Sequence, residues 1–167
     1  MSIAQAASEE ELRRMARYYR WSRESEPVLG WIMAQKCIDL ASALSVFFNG
    51  GPERFNYLPK RDVPEAHLGA ARLLDNICLR VNSGFYQLRP GPRIVAPANA
   101  RKWQAAQRAD RTEGRRGRWV LDETLLQKAL EISQQDRETC QRAHLRGTAW
   151  RLGLAPWALQ RLLPRLN

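Results

Sequence analysis

Helix-capping residues followed by apolar side chains at helical spacing constrain this fold more than any other feature of the sequence. Ser8 precedes Glu11 by three residues, the spacing of a capping box that closes the first turn of a helix. Asp39 is a second capping residue, and an apolar run over 40–48 follows it. No comparable run alternates apolar and polar residues as a half-buried strand does, so the pattern predicts an all-α protein.

The first half of the chain contains four predicted helices. They begin near Ser8, Glu26, Asp39 and Asp62, and the fourth ends at 82–84, where Asn and Gly stop it. Three prolines and a glycine then interrupt any regular pattern over 87–97. We therefore expect 87–97 to connect a helical domain, 1–86, to a second region, 98–167.

The second region is also predicted to be helical. A short helix is expected over 98–109, and Asp122 should cap a long one. The stretch 134–142 is almost wholly polar, so the long helix is either exposed there or interrupted. Two short helical segments, 148–153 and 156–166, should follow around a glycine turn.

The net charge of +10 is concentrated in this second region. Residues 1–86 carry 11 basic and 10 acidic side chains, a net charge of +1, whereas residues 87–167 carry 16 basic and 7 acidic ones, a net charge of +9. Such a charge attracts polyanions. The partner is therefore expected to be nucleic acid or an acidic protein.

Seven of the sixteen basic side chains of 87–167 lie between 101 and 118, and Trp103 and Trp119 flank the arginine-rich run 111–118. A charge run is often only a solvated loop, and 111–118 should be a mobile one. However, arginine binds phosphate and aromatic rings stack on bases, so the combination suits nucleic acid. The predicted contact residues are Arg101, Lys102, Trp103, Arg108, Arg111, Arg115, Arg116 and Arg118.

A set of residues between 9 and 86 resembles a small bacterial family of domains of unknown function. Its members share a Tyr-x-Trp pair, a helix, and then Cys and Asp with Ala-Leu and Phe following. The matching residues are Tyr19, Trp21, Pro27, Leu29, Ile32, Lys36, Cys37, Asp39, Ala43, Leu44 and Phe47. The resemblance implies a helical fold and no particular activity.

The C-terminal residues resemble the helix-turn-helix of Fis-type bacterial DNA-binding proteins. The matching positions are Ala149, Leu152, Gly153, Leu154, Leu159, Leu163 and Leu166. The resemblance implies that Gln160, Arg161 and Arg165 face a DNA groove. Trp157, Leu162 and Pro164 depart from the pattern, so a helical hairpin that packs on a partner or on the rest of the chain is an equal alternative.

Several classes of protein are disfavoured. The sequence lacks a glycine-rich phosphate loop, a GxSxG elbow and a close pair of acids on one helical face, so we expect no enzyme and no cofactor. Its three cysteines and two histidines lack the paired spacings of a zinc site. No apolar run is long enough to span a bilayer, and the first residues do not resemble a secretory signal, so a cytoplasmic protein is expected.

These observations predict a non-enzymatic protein that binds nucleic acid, with DNA favoured, through the basic region 98–167. The alternative is an immunity or antitoxin-like module that binds an acidic protein partner, because the same arginines would suit such a surface.

Overall fold

The computed structural model describes residues 2–22 and 26–151, and both ranges are predominantly helical. The α-helices are α1 (Ser2–Ala6), α2 (Glu9–Tyr18), α3 (Glu26–Met33), α4 (Leu40–Asn49), α5 (Leu68–Asn82), α6 (Pro97–Thr112) and α7 (Glu123–Arg151). No β-strand occurs in these ranges, where the one extended pairing is an isolated bridge between Asp39 and Gln87. The all-α prediction is confirmed.

Two predicted caps are present as hydrogen bonds. At the start of α2, the Glu11 N–H donates to Ser8 Oγ at 3.4 Å, and the Ser8 N–H donates to Glu11 Oε2 at 2.8 Å. At the start of α4, the Ser42 N–H donates to Asp39 Oδ1 at 2.8 Å. Residues 40–48 are all buried, so α4 is the central helix of the fold.

The helix predicted to open near Asp62 begins six residues later. Lys60–Asp62 and Glu65–His67 form three-residue 3₁₀ turns, and α5 starts only at Leu68. Pro59 and Pro64 each precede one of these turns. A proline disfavours the α conformation in the residue before it, so Val63 is extended and separates the two turns.

The proline-containing segment 87–97 is not a domain boundary. The chain divides instead into two compact units, Met1–Ser133 and Gln134–Asn167. The segment is tied into the first unit: the Leu40 N–H donates to the Gln87 carbonyl at 2.9 Å, and the Val95 N–H donates to Ser45 Oγ at 3.0 Å. The core therefore continues across 87–97, where the charge of the sequence changes.

An aromatic cluster carries this core across the predicted boundary. The centroid of the Phe47 ring lies 5.3 Å from that of Phe48, 5.5 Å from that of Trp103 and 6.2 Å from that of Trp119. Each of these pairs is edge-to-face. Such pairs add to the free energy gained by burying apolar surface. Trp103 and Trp119 follow the segment 87–97 in the sequence, so residues on both sides of it build one core.

The long helix α7 begins as predicted, with the Leu125 N–H donating to Asp122 Oδ1 at 2.9 Å. It continues to Arg151, so the polar stretch 134–142 is helical, and its described side chains are exposed. The short helix predicted over 98–109 extends to Thr112. The second short segment and the predicted turn, with Gln160, Arg161 and Arg165, lie outside the described residues.

Candidate functional site

A pocket of about 340 Å³ lies beside α6, within the first compact unit. One wall is a face of α6 whose residues recur at helical spacing: Asn99, Lys102, Trp103, Ala106, Gln107 and Asp110. The other walls are Phe48 at the end of α4, the segment 53–57, and the segment 115–120. The volume falls within the range of small-molecule sites.

The segment after α6 is held against Asn56. The Arg118 N–H donates to the Asn56 carbonyl at 2.6 Å, and the Trp119 N–H donates to Asn56 Oδ1 at 3.0 Å. A Cβ atom at Gly117 would overlap the Asn56 side chain, so glycine permits this close approach. The prediction of a mobile loop over 111–118 is therefore wrong at both ends. Arg111 lies in α6, and the backbone of Arg118 is hydrogen-bonded to Asn56.

Arg118 is a structural residue and not a surface contact. Its guanidinium donates to both carboxylate oxygens of Asp75, at 2.9 and 2.7 Å, and lies 5.1 Å from the Trp119 ring centroid. Only 14% of its side chain is exposed. The prediction that Arg118 contacts nucleic acid is corrected, since its charge is already paired inside the fold.

Trp103 and Trp119 belong to the core as well. Trp103 is 8% exposed and packs against the rings of Phe47 and Phe48, while Trp119 is 2% exposed. Their ring faces are not available for stacking on a base, which corrects the role predicted for Trp103. Its indole Nε1 nevertheless has no hydrogen-bond partner among the described residues.

The remaining predicted residues of this region are exposed, and together we call them the α6 basic surface: Arg101, Lys102, Arg108, Arg111, Arg115 and Arg116. Glu123 Oε2 lies 3.7 Å from Arg108 Nε, and Glu123 Oε1 lies 3.0 Å from Arg111 Nη2. Within residues 2–22 and 26–151, no ion pair involves Lys102 or Arg116. Lys102, Arg111, Arg115 and Arg116 line the pocket.

Asp110 is a buried acid on the pocket wall. Tyr57 OH donates to its Oδ2 at 2.6 Å, and this hydrogen bond to the carboxylate is the main reason that the pKa of Tyr57 is raised. Arg115 Nη2 lies 3.2 Å from Asp110 Oδ1 and 2.8 Å from Glu113 Oε2. Asp110 Oδ1 thus has an ion pair with Arg115 but no hydrogen bond in the described chain.

Tyr57 is the exposed aromatic side chain at this pocket, and the sequence patterns did not indicate it. It is 58% exposed, and the Arg115 guanidinium lies 5.8 Å from its ring centroid. Tyr57 lies in an irregular segment 53 residues before Asp110, so neither periodicity nor charge indicated that the two are neighbours. Asn56, which positions the opposite wall, was missed for the same reason.

Neither a metal site nor a membrane span is found in the part of the chain that the structure describes. There, no group of three or more His, Cys, Asp or Glu side chains could hold a metal ion. Likewise, none of the described helices combines the length and apolar character needed to cross a membrane.

The comparisons with known proteins leave the function to be inferred from this geometry. No protein family matches the sequence, no curated protein is significantly similar to it, and no solved structure matches the fold at a significant level. The resemblances to the domain of unknown function and to the Fis-type helix-turn-helix therefore stay predictions.

Proposed function

We propose that this chain binds nucleic acid, without catalysing a reaction on it, through the α6 basic surface. The observation that carries the proposal is that four cations of this surface line the same pocket as an exposed tyrosine: Lys102, Arg111, Arg115 and Arg116. Cations bind backbone phosphates, and an exposed aromatic ring stacks on any base. Tyr57 thus takes the stacking role predicted for Trp103 and Trp119.

The acidic partners of this surface do not prevent phosphate binding. The Arg111 side chain is 66% exposed and Arg115 is 60% exposed, so their pairs with Glu123 and Glu113 are surface ion pairs. Pairs of this kind contribute only about 0–1 kcal/mol. A phosphate can therefore replace Glu123 or Glu113 at little cost, while Arg115 keeps its contact with the buried Asp110, and Lys102 and Arg116 need no exchange.

Binding through this surface should depend on salt and only weakly on sequence. Phosphate contacts orient a nucleic acid without reading its bases, and each one releases condensed counterions. Stacking on Tyr57 is equally tolerant of sequence, and it needs a base that is not paired in a duplex. Single strands are therefore the expected ligand, with DNA and RNA both to be tested.

Fluorescence anisotropy of labelled single strands at several salt concentrations tests the proposal. Lys102→Ala, Arg111→Ala and Arg116→Ala should each weaken binding and lower the slope of log K against log salt by about one unit, because each removes one cation that neutralises a phosphate. Arg14→Ala on α2 and Arg72→Ala on α5 remove exposed charges elsewhere and are the matched controls. They should leave the slope unchanged.

Two results would reject the proposal. Failure of the wild-type chain to bind DNA or RNA at ~50 mM salt, where several phosphate contacts should give firm binding, excludes nucleic acid. An acidic protein would then be the partner to test. Equal losses in the Arg14 and Arg72 variants would show that the overall charge, and not the α6 basic surface, causes the binding.

A further inference from the structure

A buried acid lies on a surface that otherwise attracts polyanions. Asp110 is 5% exposed, and it lines the pocket together with four cations of the α6 basic surface. It also lies in the last turn of α6, where the helix dipole favours cations over carboxylates. The helix and a polyanionic ligand both disfavour an acid at this position, so the reason for its presence is to be sought in its contacts.

The carboxylate of Asp110 joins two exposed side chains at the pocket. Tyr57 OH donates to its Oδ2 at 2.6 Å, and Arg115 Nη2 lies 3.2 Å from its Oδ1. The Arg115 guanidinium in turn lies 5.8 Å from the centroid of the Tyr57 ring. These three side chains thus form a closed set of contacts, which we call the Tyr57 triad.

The backbone after α6 holds one member of the Tyr57 triad in place. The Arg115 N–H donates to the Asp110 carbonyl at 2.8 Å, and Gly114 between them has a φ of 68°, a conformation that favours glycine. Tyr57 instead lies in the irregular segment after the 3₁₀ turn Pro52–Arg54. The bond from its hydroxyl to Asp110 therefore ties an exposed ring to α6.

An aromatic ring that is already ordered binds a base better than a mobile one. A side chain that becomes fixed when a ligand binds loses rotamer freedom, and this loss reduces the affinity. The hydrogen bond to Asp110 orders the Tyr57 ring in the free protein, and the Arg115 guanidinium lies over one of its faces. Since Tyr57 is 58% exposed, the opposite face is left to an unpaired base.

We infer that Asp110 is a positioning residue that makes the α6 basic surface selective for unpaired bases over polyanions that lack bases. Its negative charge beside Arg115 weakens the attraction of that side chain for phosphate. The same carboxylate strengthens the binding of a base because it holds the Tyr57 ring. The inference rests on the proposed function and deepens it, since it names the side chains that select a single strand among polyanions.

Fluorescence anisotropy of a labelled oligothymidine and of a labelled abasic strand of the same length measures this selectivity. Both strands carry the same number of phosphates, so the ratio of their association constants reports the contribution of the bases. Stacking of one base on an aromatic ring strengthens binding by about fivefold or more, so the wild-type ratio should be at least that large. Tyr57→Ala should abolish the difference between the two strands.

Three further variants separate positioning from charge. Tyr57→Phe keeps the ring and the charge but loses the hydroxyl that donates to Asp110, so it should lower the ratio by about threefold or more. Asp110→Ala should lower the ratio by a similar factor while it strengthens binding of the abasic strand. Asp110→Asn removes the same charge but keeps an oxygen that can accept from Tyr57, so it should restore much of the ratio.

Glu53→Ala is the matched control, because Glu53 is an exposed acid that lines the same pocket. It should strengthen binding of both strands alike and leave the ratio at its wild-type value. Thermal melts followed by circular dichroism establish that the variants are folded. Because Tyr57 is exposed, Tyr57→Phe tests the inference even if Asp110→Ala is unstable.

The ratios distinguish failure of this inference from failure of the proposed function. Equal binding of the two strands by the wild-type chain overturns the inference and leaves the proposed function standing, because phosphates alone would then hold the strand. An unchanged ratio in Tyr57→Phe, or equal losses in Asp110→Ala and Asp110→Asn, would also overturn it. Absence of binding to either strand at ~50 mM salt rejects both.

Discussion

The guanidinium of Arg118 donates hydrogen bonds of 2.9 and 2.7 Å to the two carboxylate oxygens of Asp75, 43 residues earlier in the chain. The indole N–H of Trp119 donates to the same carboxylate at 2.8 Å. Asp75 thus anchors the end of the arginine-rich run to α5. Basic residues that are equivalent in the sequence consequently have different roles: Arg118 stabilises the fold, and Arg116 is exposed at the pocket.

Arg118→Ala should lower the free energy of unfolding by about 2–3 kcal/mol, measured by urea denaturation. A charged bidentate hydrogen bond is stronger than a neutral one, and the partial exposure of Asp75 keeps the loss moderate. Arg116→Ala, at an exposed arginine of the same run, should stay within about 0.5 kcal/mol of wild type. Similar stabilities for the two variants would contradict the role assigned to Arg118.

Trp103→Ala should lower the free energy of unfolding by about 3–5 kcal/mol, because it removes a buried ring that packs on Phe47 and Phe48. Trp103→Phe keeps a ring and eliminates the unpaired indole N–H, so its cost should be smaller, about 1.5 kcal/mol or less. Equilibrium urea unfolding measures both. A Trp103→Ala variant as stable as wild type would show that the ring is not part of the core.

Asn56→Ala should lower the free energy of unfolding by about 1–3 kcal/mol, because the buried Trp119 N–H loses its acceptor. The same change releases the pocket wall over 117–119, so amide hydrogen exchange of that segment should become faster. Asn99→Ala, at an exposed asparagine that also lines the pocket, is the control and should leave both measurements near wild type. Unchanged exchange in Asn56→Ala would mean that other contacts hold the segment.

Stability should fall as the pH rises above 9. Burial is the main reason that the pKa of Cys78 is raised from 9.0 to about 11 and that the pKa of Tyr86 is raised from 10.0 to about 12. The unfolded chain loses these protons first, so the folded state binds more protons over this interval and the free energy of unfolding decreases with pH. The contribution of Cys78 to the free energy of unfolding is complete below pH 9 and is lost between pH 9 and 11. The contribution of Tyr86 is lost between pH 10 and 12.

Urea titrations at pH 8, 10 and 11 measure this dependence. Tyr86→Phe and Cys78→Ala should each show a shallower loss of stability with pH than wild type, whatever their stability at pH 8. Tyr18→Phe, at a tyrosine that is 67% exposed, is the control and should keep the wild-type slope. A steeper loss in Tyr86→Phe would show the opposite sign of proton linkage.

The sequence by itself determined the features that depend on residues within one helical turn. Ser8 with Glu11, Asp39 with Ser42 and Asp122 with Leu125 are separated by three residues each, so the hydrogen bond that starts each helix is encoded locally. The amphipathic spacing within each helix is local in the same sense. These features explain why the all-α class and the starts of α2, α3, α4 and α7 could be predicted.

Only the tertiary structure decided which basic and aromatic side chains remain accessible. Trp103 is buried because Phe47 packs on it from α4, and Arg118 is paired because α5 brings Asp75 beside it. Tyr57 and Asp110 meet across 53 residues of sequence. Contacts of this kind depend on how the helices pack, and no pattern of neighbouring residues records them, so the sequence could indicate a basic region but not the pocket within it.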